Sequence, residues 1–189
     1  MLEIITVYWI KILATLGVFC VLIILFLRSS FKNSKTPGAE LVKKELDLLG
    51  ENYKVFSNVI IKSDRGMLRI DYVVVSKYGV FVLTRCDLVG KISGHKNDRD
   101  WKIKAKDTDD TILNPLWENR EHINALEREI GSQPFIPAVV FTHAKLVNDF
   151  GPIAVNVGQL QSFFFRYRKM LITLDNLGSV IIVLNEITD

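Results

Sequence analysis

The chain is poor in cysteine, with only Cys20 and Cys86, and the first of these lies inside a long apolar run. The two are poor disulfide partners and there is no C-x-x-C pair, so a disulfide scaffold is excluded and nothing points to an oxidising compartment. Histidine is equally scarce: His95, His122 and His143 do not form H-x-x-x-H, which argues against a structural zinc. The G-x-x-x-x-G-K-[ST] phosphate loop and the G-x-S-x-G nucleophile elbow are both missing, removing P-loop nucleotide chemistry and a hydrolase serine. Net charge is low as well; at +3 it does not mark a nucleic-acid protein by composition alone. With 49% hydrophobic residues and no repeat or low-complexity tract, extended disorder and a collagenous repeat are excluded too.

Apolar residues are abundant, but unevenly spread. Residues 4–27 carry a single charge, Lys11, and a bilayer core needs about 20 apolar residues in a helix. Tyr8 and Trp9 suit the membrane interface, and Lys11 lies close enough to one end to snorkel. The run opens with Glu3 rather than a basic cluster and has no A-x-A exit, which favours an uncleaved anchor over a signal peptide. Arg28, Lys32, Lys35, Lys43 and Lys44 follow it. The positive-inside rule then places the amino terminus outside and the rest in the cytoplasm, as a single-pass protein of the cell membrane. The expected organisation is an anchor at 1–28, a polar linker at 29–37 and a globular domain at 38–189.

In that domain, Ala39, Val42, Leu46 and Leu49 recur at helical spacing. Residues 54–61, 69–76 and 79–85 read as strands, with a shorter pair at 91–93 and 100–104 and a charged loop at 106–111. Asn114 followed by Pro115 predicts a capped helix start, Leu116, Ile123, Leu126 and Ile130 form its buried stripe, and Gly131 closes it. Residues 137–142 and 180–184 read as buried strands and 159–170 as a helix between them. Alternating strands and helices predict an α/β fold, its central mixed sheet beginning antiparallel and gaining crossover strands later. Residues 163–169, FFFRYRK, interleave aromatics and cations; they read either as a nucleic-acid backbone surface or as a buried aromatic stripe beside a solvated basic face. Trp117, Arg120 and His122 on the capped helix could line a cleft, Trp117 reading more readily as a packing residue.

The informative stretch is residues 69–94, RIDYVVVSKYGVFVLTRCDLVGKISG. A tight hairpin pairing Ser76 with Gly79 sets Val75 against Val80, Val73 against Val82 and Asp71 against Thr84. Side chains alternate along a strand, so Asp71, Thr84 and Cys86 project from one face. An aspartate among valines needs a partner, either a metal or nearby backbone.

The succession GAELVKKEL, RIDYVVVSKYGVFVL, GKISG, Trp101 and NPLWENREHINAL resembles the NERD (nuclease-related) domain, a branch of the PD-(D/E)XK nuclease-like fold. The resemblance covers approximately residues 37–142. It implies a mixed sheet flanked by helices in a bacterial protein. It also implies a divalent-metal site built from a helix-1 glutamate, a strand aspartate and a Glu-x-Lys on the next strand. Glu40 and Asp71 match the first two, as candidate catalytic and metal-binding residues. The Glu-x-Lys positions fall on Thr84 and Cys86. In an intact site the carboxylates hold Mg²⁺ and the lysine stabilises the developing anion; here a metal carboxylate and the cation are both missing. Lys91 or Lys102 could supply a relocated amine, and Asp87 could turn inward. The expected function is therefore a membrane-anchored domain that binds DNA, RNA or a protein partner with a degenerate nuclease centre. The alternatives are an active Mg²⁺-dependent nuclease using a relocated lysine and a structural subunit of a membrane complex.

Overall fold

Residues 72–75 and 80–83 offer no charge on either side of a strand, so a sheet built from them must be covered on both faces. The computed structural model describes residues 37–64, 66–105, 108–148 and 150–188 and meets this demand with a seven-stranded sheet and two helical layers. Contacts divide the chain after Pro37, and Gly38–Asp189 forms a unit of its own. The expected anchor at 1–28 lies outside the described residues; among those described, no helix is long and apolar enough to cross a membrane.

The order is α1 (Gly38–Leu46), β1 (Tyr53–Ser63), β2 (Gly66–Ser76), β3 (Gly79–Ser93), β4 (Asp100–Lys104), β5 (Asp109–Leu113), α2 (Pro115–Ile130), β6 (Phe135–Leu146), β7 (Ala154–Asn156), α3 (Leu160–Phe165) and α4 (Leu174–Thr188). Strands β1 to β5 pair antiparallel in sequence order, whereas β6 runs parallel to β3 and β7 parallel to β6. The sheet is thus mixed, as the sequence predicts. β6 follows nearly the whole of β3, so β2 and β4 share the opposite edge of that long strand, at its start and its end.

The predicted hairpin register is present: Ser76 pairs with Gly79, Val75 with Val80 and Val73 with Val82. Its turn, Lys77-Tyr78, is held by the Tyr78 amide donating to Ser76 Oγ at 3.1 Å. Gly79 then takes φ of 145°, and a Cβ there would stand 2.8 Å from the Pro134 carbonyl oxygen. Only glycine tolerates both conditions.

Alternation sorts the strand residues into two cores. Tyr72, Val74, Phe81 and Leu83 pack against Val42 and Leu46 of α1 and Phe163 and Phe164 of α3. Val73, Val75, Val80 and Val82 pack against Ala125 and Leu126 of α2 and Val180 and Leu184 of α4. A third core gathers Cys86, Ile92, Trp101, Phe141 and Phe150 where β4 joins. Each fully buried aliphatic or aromatic side chain contributes about 1.5–3 kcal/mol, so the two-sided sheet is the main source of stability.

Three readings need correction and a fourth holds in part. Residues 180–184 are helical within α4, not a strand, because Leu177, Val180, Ile181, Leu184 and Ile187 repeat at helical spacing and bury one stripe. The helix read at 159–170 stops at Phe165. Part of the charged stretch 106–111 is strand: β5 begins at Asp109 and pairs with β4. In residues 163–169 the buried-stripe reading applies to Phe163 and Phe164, which are core, while Phe165 is exposed beneath the Arg168 guanidinium at 4.6 Å.

Candidate functional site

Asp71 shares the face of Val73 and Val75, so its half-buried carboxylate lies on the α2 side of the sheet. Its Oδ2 accepts the Arg85 backbone amide at 2.8 Å. This is the backbone partner that a carboxylate among valines requires.

Thr84 and Cys86 project to the same side. Thr84 is buried beneath α2, where its hydroxyl accepts from Asn119 Nδ2 at 3.0 Å and stands 3.0 Å from His122 Nδ1. Asn119 also donates to the Val82 and Ala138 carbonyl oxygens, tying α2 to β3 and β6. Burial holds the His122 pKa below its usual value against the opposing pull of Asp71 and Glu121, so the ring is neutral at neutral pH. Which of the two donates follows the ring tautomer; where Thr84 donates to Nδ1, the ring proton sits on Nε2. That nitrogen faces Glu118 Oε1 at 3.8 Å, beyond hydrogen-bond distance. Glu118 is itself shifted upward, first by burial and then by Asp71 and Glu121.

Beside this network opens a cleft of about 550 Å³ whose walls include Cys86, Leu88, Leu113, Trp117, Glu118 and Glu121. Asn114 fixes one wall by capping α2. Its Oδ1 accepts the Leu116 amide at 2.9 Å, and its Nδ2 donates to the carbonyl oxygens of Lys96 and Asp98. Burial pushes the Cys86 thiol up to about 11, so it is a neutral thiol and not a thiolate. Trp117 is half exposed on the rim, contrary to its reading as a packing residue, while His122 is buried beneath α2 and does not line the cleft. Arg120 lines a separate groove beyond α2, together with Lys96 and Pro137.

The remaining candidates lie elsewhere. Glu40 is exposed on α1, and that helix packs on the opposite face of the sheet from Asp71. Asp87 is engaged near the start of α1, accepting from Arg85 Nε and Thr142 Oγ1, each at 2.8 Å. A Cβ at position 38 would overlap its carboxylate, so Gly38 is what lets the helix approach. Lys91 is exposed and pairs with Lys104 and Lys145 on the neighbouring strands; Lys102 is exposed on β4. The structure therefore brings Asp71, Thr84 and Cys86 together and leaves Glu40 apart from them.

These donors do not suit Mg²⁺. A hard cation needs several charged or carbonyl oxygens, whereas this set offers one carboxylate with an oxygen already bonded, a neutral hydroxyl already engaged by Asn119 and His122, and a neutral thiol. Among the described residues, no three His, Cys, Asp or Glu side chains are gathered to hold a metal ion. Asn119, and His122 in its bonding role, went unread in the sequence. Their signal was two polar residues, three apart, on the buried stripe of a helix.

The nuclease-related domain model, NERD, matches residues 34–142, more than half of the chain. The chain belongs to the NERD family. It is 32% identical over 107 residues to an uncharacterized protein of Bacillus anthracis, a match covering 55% of this chain and 50% of that protein. The chain thus spans about half the length of that relative. No solved structure matches it.

Proposed function

We propose that this NERD protein is a membrane-anchored, cytoplasm-facing module that binds nucleic acid, or a protein partner at the membrane, through a degenerate nuclease centre. The observation that carries the reading is the chemistry at the Glu-x-Lys positions. Thr84 is bonded on both sides by protein groups, and Cys86 presents a neutral thiol where the family resemblance implies a cation. Without a second carboxylate and a lysine, a phosphodiester meets neither metal-activated water nor a stabilised anion. The cleft and its fold remain, and with them a surface for binding.

The test is metal titration of Gly38–Asp189, alongside nucleic-acid binding and plasmid cleavage. Poor Mg²⁺ binding, uncut plasmid and salt-sensitive association with DNA or RNA are the expected results. Robust metal-dependent cleavage abolished by Asp71→Ala would overturn the degenerate reading. The membrane part is tested by a reporter fused after Asp189: cytoplasmic behaviour is expected, and an extracytoplasmic signal would reverse the orientation.

A further inference from the structure

Three lysines stand side by side on three neighbouring strands. Lys91 of β3 pairs with Lys145 of β6 on one edge and with Lys104 of β4 on the other. Paired residues project to the same face, and all three side chains are exposed. The next residue along, Ile92, pairs with Ile103 and Leu146, and these three turn the other way into the third core. One strand step further, Ser93, Lys102 and Thr111 are paired on the lysine face. That face therefore carries four cations and two hydroxyls, with Asp109 opposite Lys104 and Asp100 at the far end beyond Lys102.

We propose that this face is a docking surface for the phosphate backbone of a nucleic acid, an inference that rests on the nucleic-acid reading above. Like charges directly opposite one another destabilise a sheet, so the row opposes folding unless an anion completes it. Lys104 has Asp109 at 3.7 Å, with both side chains largely in solvent. Among the described residues, no acidic side chain pairs with Lys91 or Lys145. Neighbouring strands lie about 4.8 Å apart, so the row spans about 10 Å, the rise of about three phosphates at roughly 3.4 Å each along one strand of a duplex. Hydroxyls beside the lysines suit phosphate and sugar oxygens, and the exposed apolar residues of that face, Val89 and Leu113, stand at its two ends and not between the cations that a lipid-inserting surface would interleave with them. Such contacts position a backbone without reading its sequence.

The experiment measures binding of Gly38–Asp189, which carries its own cores, to a short fluorescent duplex DNA and to RNA of the same length, from about 50 to 200 mM salt. The parent is compared with Lys91→Gln/Lys104→Gln/Lys145→Gln and with a control of equal charge change, Lys44→Gln/Lys54→Gln/Lys62→Gln. On the duplex, the row variant is expected to lower the slope of log affinity against log salt by about 2–3, at ~0.9 per lost phosphate contact, while the control lowers it by less than 1. Because the substitutions relieve repulsion, the row variant should melt no lower than the parent, which separates lost binding from lost structure. Equal losses in the row variant and the control would overturn the surface while leaving the nucleic-acid reading intact. A parent that binds neither probe would overturn both. Loss of binding to phosphatidylserine vesicles with unchanged nucleic-acid binding would reassign the face to lipid.

Discussion

The Thr84 side-chain oxygen lies 3.0 Å from Nδ1 of His122, and this contact decides what the position can do. The buried hydroxyl accepts from Asn119 and shares a hydrogen bond with the neutral imidazole, so the protein already engages it from two directions. Where the family resemblance implies a metal-binding glutamate, this chain has a buried hydrogen-bonded joint between β3 and α2.

Replacing Thr84 by valine keeps the shape and removes the joint. His122 Nδ1 then loses its partner and Asn119 one of its acceptors, both in a buried setting. Unsatisfied buried polar groups cost about 1–3 kcal/mol. Urea unfolding of Thr84→Val should show a loss of that size, with Thr84→Ser much closer to the parent. A valine variant as stable as the parent would contradict the network.

The lowered pKa of His122 makes stability depend on pH. The unfolded ring binds a proton near its ordinary value of 6.5, whereas the folded ring resists protonation. Stability from this group is therefore complete above about 6.5 and falls as pH drops towards the lowered folded value, below which it levels off. Glu118 works in the opposite sense, because its raised pKa adds stability as pH falls through that value towards 4.5. Measuring in the Glu118→Gln background removes the glutamate's opposing contribution and leaves that of the histidine. The decline just below 6.5 should vanish in His122→Gln, and its persistence there would assign it to another group.

How far the sequence was legible followed from how local each signal was. The hairpin register came from setting a tight turn at Ser76–Gly79 and counting back along the valines, all contained in 69–85. The start of α2 came from Asn114-Pro115, a cap whose partners are backbone groups of the same neighbourhood. The helix α4 was misread because 180–184 is a β-branched cluster, whereas its helical repeat shows only over Leu177 to Ile187. The separation of Glu40 from Asp71 had only a partial local signal, the glutamate's place on the polar side of the helix whose Val42, Leu46 and Leu49 are apolar. It depends on which sheet face α1 covers, and that is set by Val42 and Leu46 packing on Tyr72 and Val74 more than 25 residues away. The aspartate's backbone partner was among the readings for a lone carboxylate; the particular donor, Arg85 N–H, follows from the register.

Asn114 anchors more than a helix end. Its carbonyl oxygen caps α2 and its amide bridges two carbonyls of the Lys96–Asp98 turn. An N-cap asparagine replaced by alanine costs about 0.5–2 kcal/mol, and loss of the two further bonds places Asn114→Ala at or above the top of that range. Asn114→Asp retains the capping oxygen and should fall between parent and alanine. Thermal melts of the three proteins give the order directly, and an alanine variant equal to the parent would remove the cap's assigned role.

The missing half of the family's site can be put back. Thr84→Glu places a carboxylate on the same face as Asp71, and Cys86→Lys adds a cation one strand repeat further along. Asp71 spends one oxygen on the Arg85 amide and keeps the other, so two carboxylates can converge on a hard cation. The double variant should gain Mg²⁺ binding by calorimetry over a parent that binds poorly, and adding Asp71→Asn should remove the gain. Before metal is added, a carboxylate beside the imidazole should raise the His122 pKa from its lowered value, because a neighbouring anion favours the charged ring. Mg²⁺ should then reverse that rise by neutralising the carboxylates, and NMR titration of the ring protons reads both steps. Cleavage is expected to be weak, since a catalytic centre must be held to within about 0.5 Å and Glu40 remains on the other face of the sheet. A His122 that titrates as in the parent, together with no gain in Mg²⁺ binding, would mean that position 84 does not face the histidine and Asp71 as described.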